Sequence, residues 1–232
     1  SIVVAFAGTN TKNKRIVDFI KSSQFLVTGK EVHYIIFGKN TINKGLEKYK
    51  NESPIKNKIH LLGLRPDAVS LIKGSNLYVQ TSLSEGFGRA ISEAMSVGKP
   101  IIMTDAGGCT ELIDESSGII TPLKNPKAVG KAISSLVNNA ELRKQMGINA
   151  QKRIEKKYHI HDTVENTLEL YKQLLKQWEY LNTRIKKSHS MSGFFFKLIF
   201  LRSLLSVLSM QHQSPHAFLL HNEISIPLNS FF

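Results

Sequence analysis

Six short, nearly all-apolar runs alternate with polar or amphipathic segments over the first 121 residues, and this alternation restricts the fold more than any other feature. The runs cover residues 2–7, 31–37, 59–62, 77–80, 101–103 and 118–120. Runs this short and apolar suit strands covered on both faces, and strands alternating with helices form a parallel sheet. Between them, helical spacing shows in Ile16, Phe19, Ile20 and Val27, and in Val69, Leu71 and Ile72 after Pro66-Asp67. A weaker helix is expected within 40–50. Asn125-Pro126 reads as an N-cap with proline in the first turn of a helix presenting Val129, Ala132, Ile133, Leu136 and Val137. Another helix follows from about 140 to 158. A last long one, capped by His161-Asp162-Thr163, runs to Lys187. The expected fold is α/β, a Rossmann-like doubly wound parallel sheet over residues 1–187. A tail over 188–232 follows, with a strongly apolar run from Gly193 to Leu205. That run carries Lys197 and Arg202, each costing about 2.5–3.5 kcal/mol near a bilayer centre, so a surface-lying or protein-covering helix is favoured over a span. Non-native sequence is the other reading of the tail. The chain opens inside a strand-like run without a methionine, as expected of a segment cut from something longer.

Chemistry is concentrated between residues 84 and 95. A strand, Leu77 to Gln80, leads into Ser84-Glu85-Gly86-Phe87-Gly88, and a helix leaves it with Ala90, Ile91, Ala94 and Met95 on its apolar face. A loop at the carboxyl end of a strand, opening a helix, is where open α/β sheets place ligands. Glycines allow close approach of the backbone, the helix N-terminus suits an anion, and Glu85 and Glu93 can accept hydrogen bonds from hydroxyls. The combination fits a polyol carrying phosphate.

The same stretch imitates a dinucleotide-binding fingerprint, with Gly86-x-Gly88 and then Asp105 after the next strand. Ile91 occupies the place of the third glycine, and Ser82 to Glu85 intervene between strand and first glycine, so that reading ranks lower. No P-loop, nucleophile elbow, His-Glu-x-x-His or calcium loop is present. Cys109 is the single cysteine, which excludes an internal disulfide and a multi-cysteine zinc site. A net charge of +13 favours an anionic partner such as a nucleotide, an acidic membrane surface or nucleic acid.

Residues 85–102, Glu85-Gly86-Phe87-Gly88-Arg89-Ala90-Ile91-Ser92-Glu93-Ala94-Met95 onward to Ile102, resemble the signature of retaining GT-B glycosyltransferases, especially glycosyltransferase family 4. The likeness continues through Gly107-Gly108-Cys109-Thr110-Glu111, Gly118-Ile119-Ile120 and the helices after Asn125. Upstream it includes Ile59-His60-Leu61-Leu62-Gly63 at the nucleotide base and Gly8 with Lys14 at the first donor-phosphate loop. It implies the C-terminal, donor-binding half of a two-domain enzyme transferring a hexosyl group from a UDP-, GDP- or ADP-sugar. No cofactor and no metal are implied. Lys14 and Glu85 match the catalytic positions: the cation that neutralises the departing diphosphate and the acid that touches donor-sugar hydroxyls. Gly8, Thr9, Leu64, Gly86, Phe87, Gly88, Arg89 and Glu93 match donor-binding positions, Glu93 at the ribose. In the family's retaining mechanism the acceptor enters on the face from which phosphate leaves, and no protein nucleophile is named.

Three departures accompany the resemblance. Thr9 stands where arginine is usual, leaving half of the phosphate clamp to Lys12 or Arg15. Arg89 replaces a common apolar residue and is expected to pair with Glu93 one turn on, or to reach the phosphate. The N-terminal acceptor domain is missing, so an N-terminal domain or a partner chain is the expected partner, and part of the last helix's apolar face should lack a neighbour. The expected location is cytoplasmic or peripheral at the membrane, with no nucleic acid bound. The rival readings are a non-catalytic sugar-nucleotide or assembly module working with a separate chain, a GT-B sugar-nucleotide epimerase, and a basic membrane-surface or nucleic-acid binder.

Overall fold

The computed structural model describes residues 1–158 and 160–187. Six strands form one sheet: β1 (Ile2–Ala7), β2 (Val32–Phe37), β3 (Ile59–Gly63), β4 (Leu77–Gln80), β5 (Ile101–Thr104) and β6 (Gly118–Thr121). Their order is β3-β2-β1-β4-β5-β6, and every neighbouring pair is parallel. This is the doubly wound arrangement the alternation of runs implied. The crossovers carry α1 (Ile16–Ser22), α2 (Lys44–Asn51), α3 (Ala68–Gly74) and α4 (Arg89–Ser96), and α5 (Pro126–Asn138) and α6 (Ala140–Lys157) follow β6. A short 3₁₀ turn, Gly108–Leu112, occupies the β5–β6 connection.

Apolar runs became strands because both faces of the sheet are covered. Val4, Phe6, Tyr34, Ile36, Leu77, Val79 and Ile102 are all buried, and so are Phe19 and Ile20 of α1 and Val129, Ile133, Leu136 and Val137 of α5. Phe19 stacks on Tyr34 with ring centroids 4.3 Å apart and on Phe6 at 5.6 Å. Burial raises the Tyr34 hydroxyl well above the usual tyrosine range, and its oxygen lies 3.1 Å from Ser22 Oγ. The helix ends follow local chemistry. Asn125 caps α5 by accepting from the Ala128 N–H at 3.0 Å, and Asn43 caps α2 through the Leu46 N–H at 3.0 Å. Asp67 precedes α3 without capping it, because its carboxylate is taken by Arg65 at 2.8 and 2.7 Å.

The compact unit around the sheet is Ser1–Lys157, and a second unit begins at Tyr158. Its described part is α7 (Ile160–Lys187), which starts one residue before the expected cap, with Asp162 inside the first turn, where an acid suits the helix dipole. Val164, Leu168, Tyr171 and Leu175 of α7 are exposed. Among the described residues no helix is long and apolar enough to cross a membrane. The tail over 188–232, with its apolar run, lies outside the described residues.

Candidate functional site

Chain connections leave β1 toward β2 on one side of the sheet, whereas β4 continues toward β5 on the other. Adjacent strands whose connections diverge in this way leave a crevice at their carboxyl ends. Here its walls are the loop of residues 8–15 after β1 and the loop of residues 81–88 after β4. Asn13 stitches them together: its carbonyl accepts from the Leu83 N–H at 2.8 Å, its side-chain oxygen from the Ser84 N–H at 3.1 Å, and its amide donates to the Ser84 carbonyl at 2.8 Å. Thr81 Oγ1 donates to the Arg15 carbonyl at 2.9 Å.

That stitching brings Lys14 and Glu85, 71 residues apart, into a direct ion pair, with side chains 24% and 12% exposed. At this depth the charges are only partly screened by solvent. Glu85 Oε1 also accepts from Ser82 Oγ at 2.6 Å, and the Glu85 N–H donates to the Ala106 carbonyl at 2.7 Å, which ties in the loop after β5. Among the described residues no protein group hydrogen-bonds Oε2 of Glu85. One oxygen is thus held by the protein.

Glu85 does not cap α4. The N-cap of α4 is Gly88 in the left-handed region, φ 75°, and no side chain caps the helix. A Cβ on Gly88 would meet Ile91 Cδ1 at 2.9 Å and Cys109 Cβ at 3.3 Å. Ile91 therefore fills the floor beneath the glycine, where a dinucleotide fingerprint would place a small residue. Gly86 and Phe87 are half-buried in the same turn.

The other expected residues distribute along the carboxyl edge. The Gly8 N–H donates to the Phe37 carbonyl at 2.9 Å and the Gly38 N–H to the Gly63 carbonyl at 2.7 Å, so β1, β2 and β3 end level, with the β2–β3 register shifting between Ile36 and Phe37. Thr9 is exposed on the β1 loop, and Leu64, 75% exposed, stands just past β3. Arg15 is not a free phosphate ligand: its guanidinium grips the buried Asp18 at 2.8 and 2.7 Å, which also raises its pKa. Lys12, the other residue expected to complete the clamp, is exposed. The expected Arg89–Glu93 pair is absent among the described residues; Arg89 is exposed and Glu93 half-buried. Burial pushes the Tyr78 hydroxyl far above the usual tyrosine range, with smaller contributions from the charges of Glu85 and Glu93.

Sequence reasoning passed over Asn13, Tyr78, Gln80 and Ser82. The available signal was polar residues at every second position, 78, 80 and 82, where a two-sided buried strand should be apolar. Cys109 lies buried under Gly88, and burial first, then the Glu85 charge, pushes its thiol up to about 12. A thiol is nucleophilic only as thiolate. Cys109 should therefore stay unmodified by iodoacetamide at pH 8 in the folded chain and react promptly in denaturant, followed by intact mass. Modification of folded protein within minutes would contradict its placement. Among the described residues no group of three or more His, Cys, Asp or Glu is placed to hold a metal ion.

Residues 1–153 match the family described as Glycosyl transferases group 1. The capsular polysaccharide biosynthesis glycosyltransferase CapM of Staphylococcus aureus is 26% identical over 185 residues, covering 77% of this chain and 48% of the relative. Anabaena Alr3699/HepE, solved in complex with UDP and glucose, superposes with a TM-score of 0.66 at 23% identity, over 73% of this chain and 48% of that one. The C-terminal domain of a glycosyl transferase group 1 family protein (LpcC) from Francisella tularensis superposes with a TM-score of 0.62 at 23% identity, over 68% of this chain and 87% of that one. Those two likenesses establish the fold. The chain spans about half the length of the curated relatives it matches.

Proposed function

The chain belongs to the glycosyl transferases group 1 family, and from that premise we propose that its β1/β4 crevice binds the nucleoside-diphosphate sugar of a retaining hexosyl transfer. The observation that carries this reading is the Lys14–Glu85 pair, assembled at the sheet's switch point beside a glycine-rich helix start. Breaking a glycosyl–phosphate bond builds negative charge on the leaving diphosphate, and a cation already in place stabilises it. Lys14 is that cation, and Lys12, unlike Arg15, is available to share the work of Thr9's missing arginine. Glu85 Oε2 accepts from a donor-sugar hydroxyl, and Glu93 accepts from the ribose. Backbone at Gly8, Thr9, Gly86, Phe87 and Gly88 lets the diphosphate approach, Arg89 stands over it, and Leu64 marks the base end.

UDP-bound HepE supports a uridine donor, and the likeness to an isolated C-terminal domain supports reading this chain as the donor half. Acceptor binding would then come from an N-terminal domain or a partner chain.

A calorimetric screen of UDP-, GDP- and ADP-sugars tests the proposal. One base should bind, Glu93→Ala should weaken it by about tenfold through loss of a charged hydrogen bond, and the chain by itself should transfer little. If no donor binds, or if Glu93→Ala and Lys14→Ala both titrate like the parent, the site is misassigned.

A further inference from the structure

We infer that Tyr78, Gln80 and Ser82 are positioning residues that set the orientation of the Glu85 carboxylate through a buried, one-way file of hydrogen bonds. The three side chains occupy alternate positions on β4 and its extension, so they share one face of the sheet. They are 0%, 2% and 0% exposed. Tyr78 Oη donates to Gln80 Oε1 at 2.7 Å, Gln80 Nε2 donates to Ser82 Oγ at 2.8 Å, and Ser82 Oγ donates to Glu85 Oε1 at 2.6 Å.

Tyr78 Oη has two acceptors in reach, Gln80 Oε1 at 2.7 Å and the Ala7 carbonyl at 3.2 Å, and the shorter contact directs its proton to Gln80. Ser82 has a single proton; it reaches Glu85 only while Gln80 presents its NH₂ rather than its carbonyl to the serine. Gln80 keeps that orientation because Tyr78 donates to its carbonyl. With burial holding the Tyr78 phenol neutral, the donor persists across the working pH range. The far end of the file is anchored too: the Ala7 N–H donates to Tyr78 Oη at 3.4 Å. Ala7 closes β1, and Lys14 lies on the loop that β1 feeds. From Ala7 through Tyr78, Gln80, Ser82 and Glu85 to Lys14, the two walls of the crevice form a closed circuit.

Packing alone does not call for these residues. A central parallel strand is ordinarily apolar on both faces, and a buried amide is retained at a cost unless its partners are in place. Local departures from such rules fall at functional sites. What the file achieves is asymmetry at the carboxylate: Oε1 is taken by Ser82 and Lys14, and Oε2 has no protein hydrogen-bond partner among the described residues.

This inference rests on the proposed donor reading for its consequence, but not for its geometry, and the experiment separates the two. In full chain labelled with ¹³C at glutamate Cδ, the Glu85 resonance is compared among parent, Gln80→Met and Ser82→Ala without ligand. The file predicts that both variants move or broaden it while leaving the other glutamates in place. The same proteins are titrated with UDP-glucose and with UDP. The parent should gain affinity from the sugar, and both variants should lose about five- to tenfold of that increment, the worth of a hydrogen bond near one charge, with UDP affinity unchanged. An unmoved Glu85 resonance in both folded variants overturns the file, whatever the ligand result. A moved resonance with no sugar increment in the parent keeps the file and rejects the donor reading. Equal weakening of UDP and UDP-glucose would mark general damage to the crevice and also overturn it.

Discussion

Lys14→Ala is expected to weaken a nucleoside-diphosphate sugar by about ten- to a hundredfold, the range for losing a hydrogen bond between charged groups. Two effects act in the same direction. The ammonium that would face the diphosphate is lost, and Glu85, 12% exposed, loses its ion-pair partner and is left with Ser82 as donor. An uncompensated carboxylate beside a diphosphate repels it, and partial burial limits screening by salt. Binding of the nucleoside alone should change little, because it carries no phosphate. The comparison of UDP-sugar with uridine therefore isolates the electrostatic part, and circular dichroism confirms that the fold persists. Equal loss for both ligands would place Lys14 in the scaffold and not in the site.

Gly38→Ala should cost more in stability than any exposed substitution in the chain. At φ 141° an L side chain is strained, and a Cβ there would sit 2.1 Å from the Gly8 carbonyl oxygen and 2.5 Å from its carbon. Backbone cannot rotate away as a side-chain tip can, and Gly8 is further held by its N–H bond to Phe37 at 2.9 Å. Strain and overpacking each contribute about 1–3 kcal/mol, giving about 2–6 kcal/mol in total. For a domain of this size that is a fall in Tm of about 4–24 °C. Gly29→Ala, where nothing lies within 4 Å, is the control and should stay within about 0.5 kcal/mol of the parent. A Gly38→Ala melting curve that overlays the parent's would show that β1 and β2 end less closely than described. Because Gly8 opens the loop that carries Lys14, the same substitution should also weaken any anion bound there.

Strand and helix placement were legible because two-sided burial leaves a plain mark: Ile2 to Ala7 and Ile101 to Met103 can hardly be anything but inner strands. Asn125-Pro126 announced α5 for an equally local reason. The end of the compact unit was not legible. Helical spacing runs on past Lys157, and periodicity reports that a helix has an apolar face without saying which body covers it. At the site, residues 84–93 stood out by composition, but the partnership of Lys14 with Glu85 depends on a chain reversal that no local pattern encodes. The Arg89–Glu93 expectation failed because an i,i+4 pair on a helix surface is worth only about 0.2–0.5 kcal/mol, too little to dictate side-chain placement. Arg15, offered beside Lys12 for the phosphate clamp, is held by a buried partner three residues away, Asp18, with two hydrogen bonds. The polar file on β4 was visible as letters, yet read only as part of a strand.

Mapping a nucleotide-sugar onto the backbone tests the central claim most directly. In a ¹⁵N-labelled sample titrated with UDP-glucose, or with the GDP- or ADP-sugar the screen selects, the amide resonances of Gly8, Thr9 and Gly86 to Arg89 should shift together and saturate with one affinity. Ligand-dependent shifts confined to other residues, with those of the two crevice loops unmoved, would contradict the assignment of the Lys14–Glu85 crevice as the donor site.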